Sequence, residues 1–434
     1  MMDGFQIRDF YFKGNAGHHP LLITVVYTCF YAIGRDIIGN INAGMCMFSI
    51  FQMSFMSAIF AYAVKYIEEI TENRAIRNIS IIFYALFPYN QLFSIITTKD
   101  VIFSGLFLLF IINLYKNVKG DNKIADYIFF IIIGTITLLA RNNSVFTLEV
   151  SLPFIIIALI KNKKIMVKIV VAFLIIIISY KTINTGLYSL ISKQNDEGSM
   201  RTFLFAQFTG KLVKENEEKL TDEEKEKISY YFKDYEKLAE VYKPAISDNA
   251  SSMIVSKNIN NDKKAFLNFM YSLAKKYPNV FVDSFLNTVR GFWYIPDNSF
   301  NSYNHDTKIG KKSGALELGN WMILDLENSI KSKSFIPTLK NFDTKMFCKN
   351  EYQNIPVLYI IFQPATYFYM SFAYLLYSIY KKQKEKLVIS IVIFTFFASC
   401  FMAPAAIIRY MYPVIVSMPM ILGTIFEKNK IEDL

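Results

Sequence analysis

The chain has 434 residues, of which 53% are hydrophobic and only 19% are charged. This composition excludes a water-soluble protein of two or three globular domains, because the chain has too few polar residues to cover their surfaces. Apolar runs such as 127–140 and 165–180 need a bilayer or a fully buried core. The composition therefore indicates an all-α membrane protein with several spans.

Charge and motif content narrow the range of functions. The 47 basic and 36 acidic residues give a net charge of +11, which we assign to cytoplasmic loops rather than to a nucleic-acid partner. The motifs GxxxxGK(S/T) and GxGxxG are absent, so no cradle for a soluble nucleotide is evident. Neither a disulfide framework nor a zinc site is indicated, because no paired spacing links Cys29, Cys46, Cys348 and Cys400.

The first segment, residues 1–41, is predicted to lie on the outer face of the membrane. It begins with MMDGFQIRDF, which lacks the basic and then apolar pattern of a cleaved signal peptide. The apolar stretch 20–38 meets Arg35 and Asp36 and is short for a span, so we expect a helix at the outer interface. Because only two residues precede Asp3, we expect no span ahead of this segment.

About nine transmembrane helices are predicted next, at about 17 to 25 apolar residues per crossing. Lysine and arginine residues cluster in the connectors after the first, third, fifth, seventh and last of them. The positive-inside rule assigns all of these connectors to the cytoplasm. The predicted spans are 42–64, 78–93, 101–117, 126–141, 145–161, 166–184, 356–380, 386–403 and 408–427.

This orientation divides the chain into modules. Residues 42–184 form a six-span membrane module, and residues 356–434 form a three-span C-terminal module. The polar residues 185–355, between spans six and seven, are predicted to form one extracytoplasmic α-helical domain. The localisation that follows is a multi-pass protein of the cell membrane.

Three helices are predicted within the extracytoplasmic domain. Thr221 and Glu224 fit a capping box, and the apolar residues behind them recur at helical spacing as far as Leu238. A second amphipathic helix is predicted over about 262–276. Pro278 ends that helix and can begin the third.

Ionisable and amide side chains recur at the outer ends of the predicted spans, where such groups usually have a partner or a function. Structural roles stay open as well, because Arg141 could complement a helix dipole and Arg409 could anchor a helix at the interface. The adjacent His18 and His19 form a poor chelate, so no metal site is predicted from them. The set comprises Asp3, His18, His19, Lys99, Asp100, Arg141, Asn142, Asn143, Arg409 and Tyr410.

The residue types in this set favour group transfer from a phosphate-bearing lipid. Cations in a low-dielectric pocket stabilise a phosphate group that leaves as an anion. A carboxylate can act as general base toward a hydroxyl group. The set therefore suits transfer from a lipid phosphate to an acceptor outside the membrane.

Four sequence motifs occur in a characteristic order: HHP at 18–20, TTKDVIFSG at 97–105, LLARNNSVF at 138–146 and IIRYMYPVI at 407–415. Their order resembles an uncharacterised Gram-positive family of polytopic membrane proteins. That family is similar to the GT-C glycosyltransferase superfamily, whose members take sugars from polyprenyl-phosphate carriers. The likeness covers nearly the whole chain.

The resemblance implies a GT-C-like fold and roles for particular residues. Asp3 and Asp100 match the acidic positions that would be catalytic, and Lys99, Arg141 and Arg409 match basic positions that we assign to the donor phosphate. No cofactor is assigned, and Mg²⁺ or Mn²⁺ between Asp3 and Asp100 stays open. The residues expected at the substrate are Gln6, His18, His19, Asn142, Asn143 and Tyr410.

The function expected from this reasoning is an inverting transfer of a sugar from a polyprenyl-phosphate donor. The acceptor would be a glycan or lipid of the cell envelope at the outer face of the bilayer. One alternative is a transporter or flippase for lipid-linked sugars, in which the same charges line a passage. A second alternative is a non-catalytic partner in envelope assembly.

Overall fold

The structure, a computed structural model, describes residues 7, 10–14, 19–94, 96–120, 122–191, 200–295, 337–338 and 355–428. The regular structure in these ranges is helical, and they contain no β-strand. The chain divides into two compact units. Unit 1 takes its described residues from 1–197, 369–399 and 410–434, and unit 2 takes its own from 198–368 and 400–409.

Eight helices follow one another in the N-terminal part of unit 1. They are α1 (Leu21–Ala32), α2 (Ile41–Thr71), α3 (Arg74–Leu86), α4 (Pro88–Ser94), α5 (Lys99–Lys119), α6 (Ile124–Ala140), α7 (Ser144–Leu159) and α8 (Lys163–Ile191). Side-chain caps fix where two of them begin, because Asn40 accepts a hydrogen bond from the Asn42 amide at 2.9 Å and Asn73 accepts one from the Ala75 amide at 2.8 Å.

Seven helices form the N-terminal part of unit 2. They are α9 (Met200–Asn216), α10 (Asp222–Tyr231), α11 (Tyr235–Val241), α12 (Asp248–Ser251), α13 (Ser256–Asn261), α14 (Lys263–Lys276) and α15 (Pro278–Val289). Their apolar faces share one core, in which Phe208, Phe232 and Met270 are fully buried. The predicted capping box of Thr221 and Glu224 and the start of a helix at Pro278 are confirmed.

The helix predicted to run from the capping box to Leu238 is interrupted. Phe232 adopts an extended backbone conformation and ends α10. The Asp234 side chain accepts a hydrogen bond from the Lys237 amide at 3.0 Å and begins α11. Aspartate competes with helix continuation because its carboxylate caps a new helix start.

Four helices follow residue 355: α16 (Pro356–Ile361), α17 (Pro364–Lys381), α18 (Lys384–Cys400) and α19 (Tyr412–Ile425). A 3₁₀ turn, Ile408–Met411, directly precedes α19. Four described helical segments are long and apolar enough to cross a bilayer, and they associate the chain with a membrane: Ile41–Thr71, Lys99–Lys119, Lys163–Leu190 and Ile408–Ile425. The apolar helices α6 and α7 are shorter. The total of about nine spans stays a prediction.

The predicted second span, 78–93, is two short helices rather than one. The residue before a proline is disfavoured in helical conformation, and Phe87 accordingly has φ −67° and ψ 122° ahead of Pro88. The Asn90 side-chain amide donates to the backbone carbonyl groups of Phe83 and Tyr84, at 3.1 Å each. The Tyr84 carbonyl lacks a helical partner because Pro88 has no N–H group, whereas the Phe83 carbonyl also accepts a hydrogen bond from the Phe87 amide at 3.0 Å.

Helix α5 is the central element of unit 1, since it packs against α2, α6 and α19. At one end of the unit, α5 and α19 end while α6, α8 and α18 begin. Lys119 pairs there with Glu427, and the Lys428 amide donates to the Ile70 carbonyl at 3.0 Å. We call this the basic end, because the five lysine- and arginine-bearing connectors of the sequence analysis lie at it. At the opposite end, α5, α7 and α19 begin and α6 ends.

Two glycines allow α1 and α2 to turn back on each other. The π-helix Ile33–Ile37 extends α1, and Gly34 in it lies against Gly44 of α2. A Cβ atom on Gly44 would lie 2.2 Å from the Phe30 carbonyl oxygen, which is part of the backbone. Only glycine allows this close approach.

Candidate functional site

A buried ion pair joins the start of α5 to the end of α6. Asp100 stands in the first turn of α5, and Arg141 directly follows the last residue of α6. Because these helices are antiparallel neighbours, the two side chains meet: Arg141 Nη1 lies 2.8 Å from Asp100 Oδ1. Asp100 is 1% exposed and Arg141 is 7% exposed. Two charges are thus withdrawn together from solvent, and each would be costly to bury alone.

Three aromatic rings surround the guanidinium group of Arg141. Its Cζ atom lies 5.3 Å from the ring centre of Phe103, 5.5 Å from that of Phe396 and 5.2 Å from that of Tyr410. The rings come from α5, α18 and the turn before α19. Each distance is in the range of an attractive cation–π contact, and the rings also exclude water. We call this arrangement of Asp100, Arg141 and the three rings the caged pair.

Arg141 retains hydrogen-bonding capacity inside the cage. A guanidinium group has five N–H donors in a planar fork. Within the described residues, Arg141 uses one of them, on Nη1, for its bond to Asp100. The geometry of the remaining donors suits the oxygen atoms of a phosphate or a second carboxylate.

Polar contacts from α2 hold the chain segment that leads into α5. Gln52 of α2 is fully buried, and its side-chain amide donates to the carbonyl groups of Phe93, Ser94 and Ile96 at 3.1, 2.8 and 3.0 Å. Buried carbonyl groups need such partners, so Gln52 fixes the path of the loop that precedes α5 and positions Asp100.

Local hydrogen bonds fix the start of α5 itself. The Thr98 hydroxyl lies 3.4 Å from Asp100 Oδ2, and the Ser104 hydroxyl donates to the Asp100 carbonyl at 2.5 Å. At the start of α19, the Tyr412 hydroxyl donates to Asn90 Oδ1 at 3.1 Å. These bonds tie the loop before α5 and the helix that follows Tyr410 to their neighbours.

Of the residues singled out by sequence, three meet in the caged pair: Asp100, Arg141 and Tyr410. Lys99 is half-buried as the first residue of α5, and Asn142 and Asn143 form the turn between α6 and α7 at the same end of unit 1. Arg409 is half-buried in the 3₁₀ turn one residue before Tyr410. His19 is buried, and its backbone carbonyl accepts a hydrogen bond from the Tyr188 hydroxyl at 3.1 Å.

Asp3, Gln6 and His18 lie outside the described residues, so the predicted role of Asp3 as a catalytic carboxylate stays a prediction. In the described part of the chain, no group of three or more His, Cys, Asp or Glu side chains could hold a metal ion. Mg²⁺ or Mn²⁺ between Asp3 and Asp100 therefore stays an open alternative.

Sequence reasoning missed the residues that surround the pair. Phe103 lies three positions after Asp100 and thus on the same face of α5, a spacing that could have identified it. Phe396 is one of several phenylalanines in α18, and no sequence signal separates it from its neighbours. Gln52 was detectable as an isolated amide within a predicted span.

Comparisons with known proteins identify the family of the chain but no function. No curated protein and no solved structure shows a significant match. A family described as "Family of unknown function (DUF6020)" matches residues 16–433, which is nearly the whole chain. The chain belongs to this family of unknown function.

Proposed function

We propose that this protein is a membrane glycosyltransferase of GT-C type. It moves a sugar from a polyprenyl-phosphate carrier to an acceptor of the cell envelope, by inverting displacement at the outer face. In this topology the chain crosses the membrane about nine times, and the basic end of unit 1 faces the cytoplasm. Residues 185–355 then belong to the extracytoplasmic side.

The caged pair is the observation that carries the proposal. Arg141 is buried, three aromatic rings hold it in one position, and some of its donors have no acceptor among the described residues, so it is preorganised to bind a phosphate oxygen. Electrostatic preorganisation of this kind stabilises charge as it develops on a leaving group. The pair lies at the end of unit 1 opposite the basic end, which is the outer end in the proposed topology.

The transfer step assigns different tasks to the two charges. The acceptor hydroxyl attacks the anomeric carbon, and its proton passes to a carboxylate, Asp100 or Asp3. The bond between the anomeric carbon and the phosphate oxygen breaks, and the phosphate keeps the electron pair. Arg141 neutralises the new negative charge on this oxygen. Lys99 and Arg409, the sequence neighbours of Asp100 and Tyr410, remain the further cations that we predict for the donor phosphate.

A transfer assay with a short-chain polyprenyl-phosphate sugar tests this assignment. We expect Asp100→Asn to lower kcat about 10²- to 10⁴-fold, the usual contribution of a general base. Arg141→Lys keeps the charge but not the planar fork, and should lower kcat about 10²-fold or more. Arg77→Lys is the matched control, because Arg77 pairs with Glu68 at 2.7 Å at the basic end. Equal turnover in all variants would contradict the proposal.

Transport of a lipid-linked sugar is the second candidate, and the helix break at Phe87–Pro88 is the observation that favours it. Interrupted helices often line substrate sites in transporters. The side-chain amides of Asn113 and Asn117, which would have to line a passage, instead donate within α5 to carbonyl groups four residues earlier, at 2.7 and 2.8 Å. Uptake of labelled lipid-linked sugar into vesicles without product formation would favour transport.

A further inference from the structure

A cluster of lysines and tyrosines surrounds one carboxylate at the basic end of unit 1. Glu427, two residues after α19, pairs with Lys119 and accepts a hydrogen bond from the Tyr115 hydroxyl. Its side chain is only 10% exposed. Glu427 also acts electrostatically on Lys386, and Lys116 lies one helical turn before Lys119 on α5. We call Lys116, Lys119, Lys386 and Glu427 the basic-end cluster.

Lys386 is the unusual member of this cluster. It stands in the first turn of α18 and is 3% exposed, although lysine is almost never buried without a partner. Its Nζ lies 5.7 Å from the ring centre of Tyr377. Among the described residues, no carboxylate oxygen lies within 4.0 Å of it and no hydrogen bond satisfies it. Glu385 and Glu427 act on this ammonium group only from beyond that distance, so a closer anion would stabilise it.

Lys116 is a second lysine of the cluster that contacts tyrosine side chains. Its Nζ donates to the Tyr62 hydroxyl at 2.7 Å and lies 4.4 Å from the ring centre of Tyr66. No carboxylate pairs with it in the described part of the chain. The cluster thus holds three lysines and one glutamate, while the neighbouring Glu385 pairs with Lys384.

The start of α18 adds a second source of positive potential. The first amide groups of a helix have no partner inside the helix, and its dipole favours an anion at this end. Lys386 lies in this first turn, so its ammonium group and the helix start act on the same region. This combination is typical of phosphate-binding sites.

The surface beside the cluster indicates where the phosphate comes from. Leu376, Ile379 and Tyr380, in the last turns of α17 just before Lys381, are 50%, 52% and 79% exposed. An exposed apolar strip that ends at a basic cluster matches a phospholipid, whose acyl chains lie along the strip and whose headgroup lies at its end.

We propose that the basic-end cluster binds the phosphate group of an anionic phospholipid, with Lys386 as its central contact. The site is separate from the caged pair and does not depend on the proposed transferase activity. The phospholipid fixes the start of α18 against the ends of α5 and α19. Without it, the buried ammonium group of Lys386 weakens the packing of these three helices.

Native mass spectrometry and thermal unfolding of the full-length protein in detergent can measure lipid binding and so test the proposal. We expect phosphatidylglycerol to bind and to raise Tm more than phosphatidylcholine does. Lys386→Gln should weaken phosphatidylglycerol binding about tenfold, the loss of one charge-assisted hydrogen bond. Lys163→Gln removes an exposed lysine at the same end, at the start of α8, and should leave binding unchanged.

A test with inorganic phosphate distinguishes a lipid headgroup from a soluble phosphate ion as the occupant of the site. If phosphate alone raises Tm in a manner that requires Lys386, the phosphate site is supported and its occupant is a soluble anion. Equal lipid binding by Lys386→Gln, Lys163→Gln and the wild type would overturn the proposal. So would equal affinity for phosphatidylcholine and phosphatidylglycerol. Each variant is compared only where its gel-filtration profile matches that of the wild type.

Discussion

At the scale of single residues, the caged pair affects both the stability of the fold and the proposed binding of a phosphate. Asp100 and Arg141 stabilise each other, because removal of one takes from the other a buried charge of opposite sign at 2.8 Å. The rings of Phe103, Phe396 and Tyr410 favour only the cation, so they do not replace Arg141 as the partner of Asp100. The two residues are therefore coupled in their effect on stability, whereas in the proposed transfer step each has its own role.

A double-mutant cycle tests this coupling. We expect Arg141→Met to destabilise the protein by about 3–5 kcal/mol, because the Asp100 carboxylate loses its buried partner. The double variant Asp100→Asn with Arg141→Met should cost clearly less than the sum of the single changes, since no unpaired charge remains. Thermal unfolding in detergent measures each step. Additive costs would show that the two residues do not stabilise each other.

The sequence predicts those residues of the caged pair that are chemically unusual for their position. Charged residues are rare in apolar helices, so the sequence singled out Asp100 and Arg141 at helix ends, and Tyr410 as the neighbour of Arg409. Their contact could be anticipated because α5 and α6 are joined by a short connector and must pack side by side. Phe396 could not be anticipated, because it is distant in sequence and chemically equal to its neighbours.

At the scale of helices, the close approach of Gly34 and Gly44 sets the angle between α1 and α2. In Gly44→Ala the new methyl group would meet the Phe30 carbonyl, which cannot rotate away as a side chain could. We expect a loss of about 1–3 kcal/mol, the usual cost of overpacking. Gly120→Ala is the control, since nothing lies within 4 Å of its added Cβ. Thermal unfolding compares the two variants, and an equal Tm for both would contradict the steric argument.

The capping box of α10 makes a pH-dependent contribution to the stability of unit 2. Burial raises the pKa of Glu224, but hydrogen bonds from Lys276 and Thr221 outweigh it and hold this pKa below its usual value. A carboxyl group with a lowered folded-state pKa stabilises the fold above its unfolded-state pKa, and this contribution is lost as the pH falls through the folded-state pKa. Acidification below about pH 4.5 should therefore weaken α10.

Glu224→Gln isolates this charge, because glutamine still completes a capping box but cannot pair with Lys276. We expect the variant to lose less Tm than the wild type on acidification from about pH 6 to about pH 3.5. Glu226→Gln, at an exposed position on the same helix, is the control and should follow the wild type. The same acid sensitivity in the wild type and Glu224→Gln would contradict the assignment.

Helix boundaries were predictable where one local signal was dominant and not where two competed. The capping box and Pro278 each fix a helix end without help from distant residues. Asp234 and Pro88, by contrast, interrupt apolar patterns that would otherwise continue. At the break after Phe87, the Asn90 side chain donates to the freed Tyr84 carbonyl, a contact that depends on the folded path of the chain.

At the scale of the whole molecule, the positions of the lysine and arginine residues predict which end of unit 1 faces the cytoplasm. Membrane-impermeant maleimide tests this topology in a background with all four cysteines replaced by serine. We expect Asn143→Cys, at the exposed turn between α6 and α7, to be labelled in intact cells. Lys164→Cys, in the first turn of α8 at the basic end, should be labelled only after permeabilisation. The reverse pattern would contradict the orientation.

The all-helical architecture and the membrane association followed from composition and periodicity, because these are properties of many residues together. The four helices long enough to span a bilayer include the central α5, whose apolar sequence is almost continuous. The number of spans depends on short and interrupted helices such as α3, α4 and α7, for which length alone does not decide. The predicted catalytic role of Asp3 stays a prediction, because Asp3 lies outside the described residues.

Binding of a short-chain polyprenyl phosphate is the most direct test of the central claim, that Arg141 in the caged pair holds a lipid phosphate. Native mass spectrometry can compare the wild type with Arg141→Gln and Arg77→Gln. We predict about tenfold or greater weakening in Arg141→Gln alone, the loss of one charge-assisted contact or more. Equal binding by Arg141→Gln and the wild type would contradict the account.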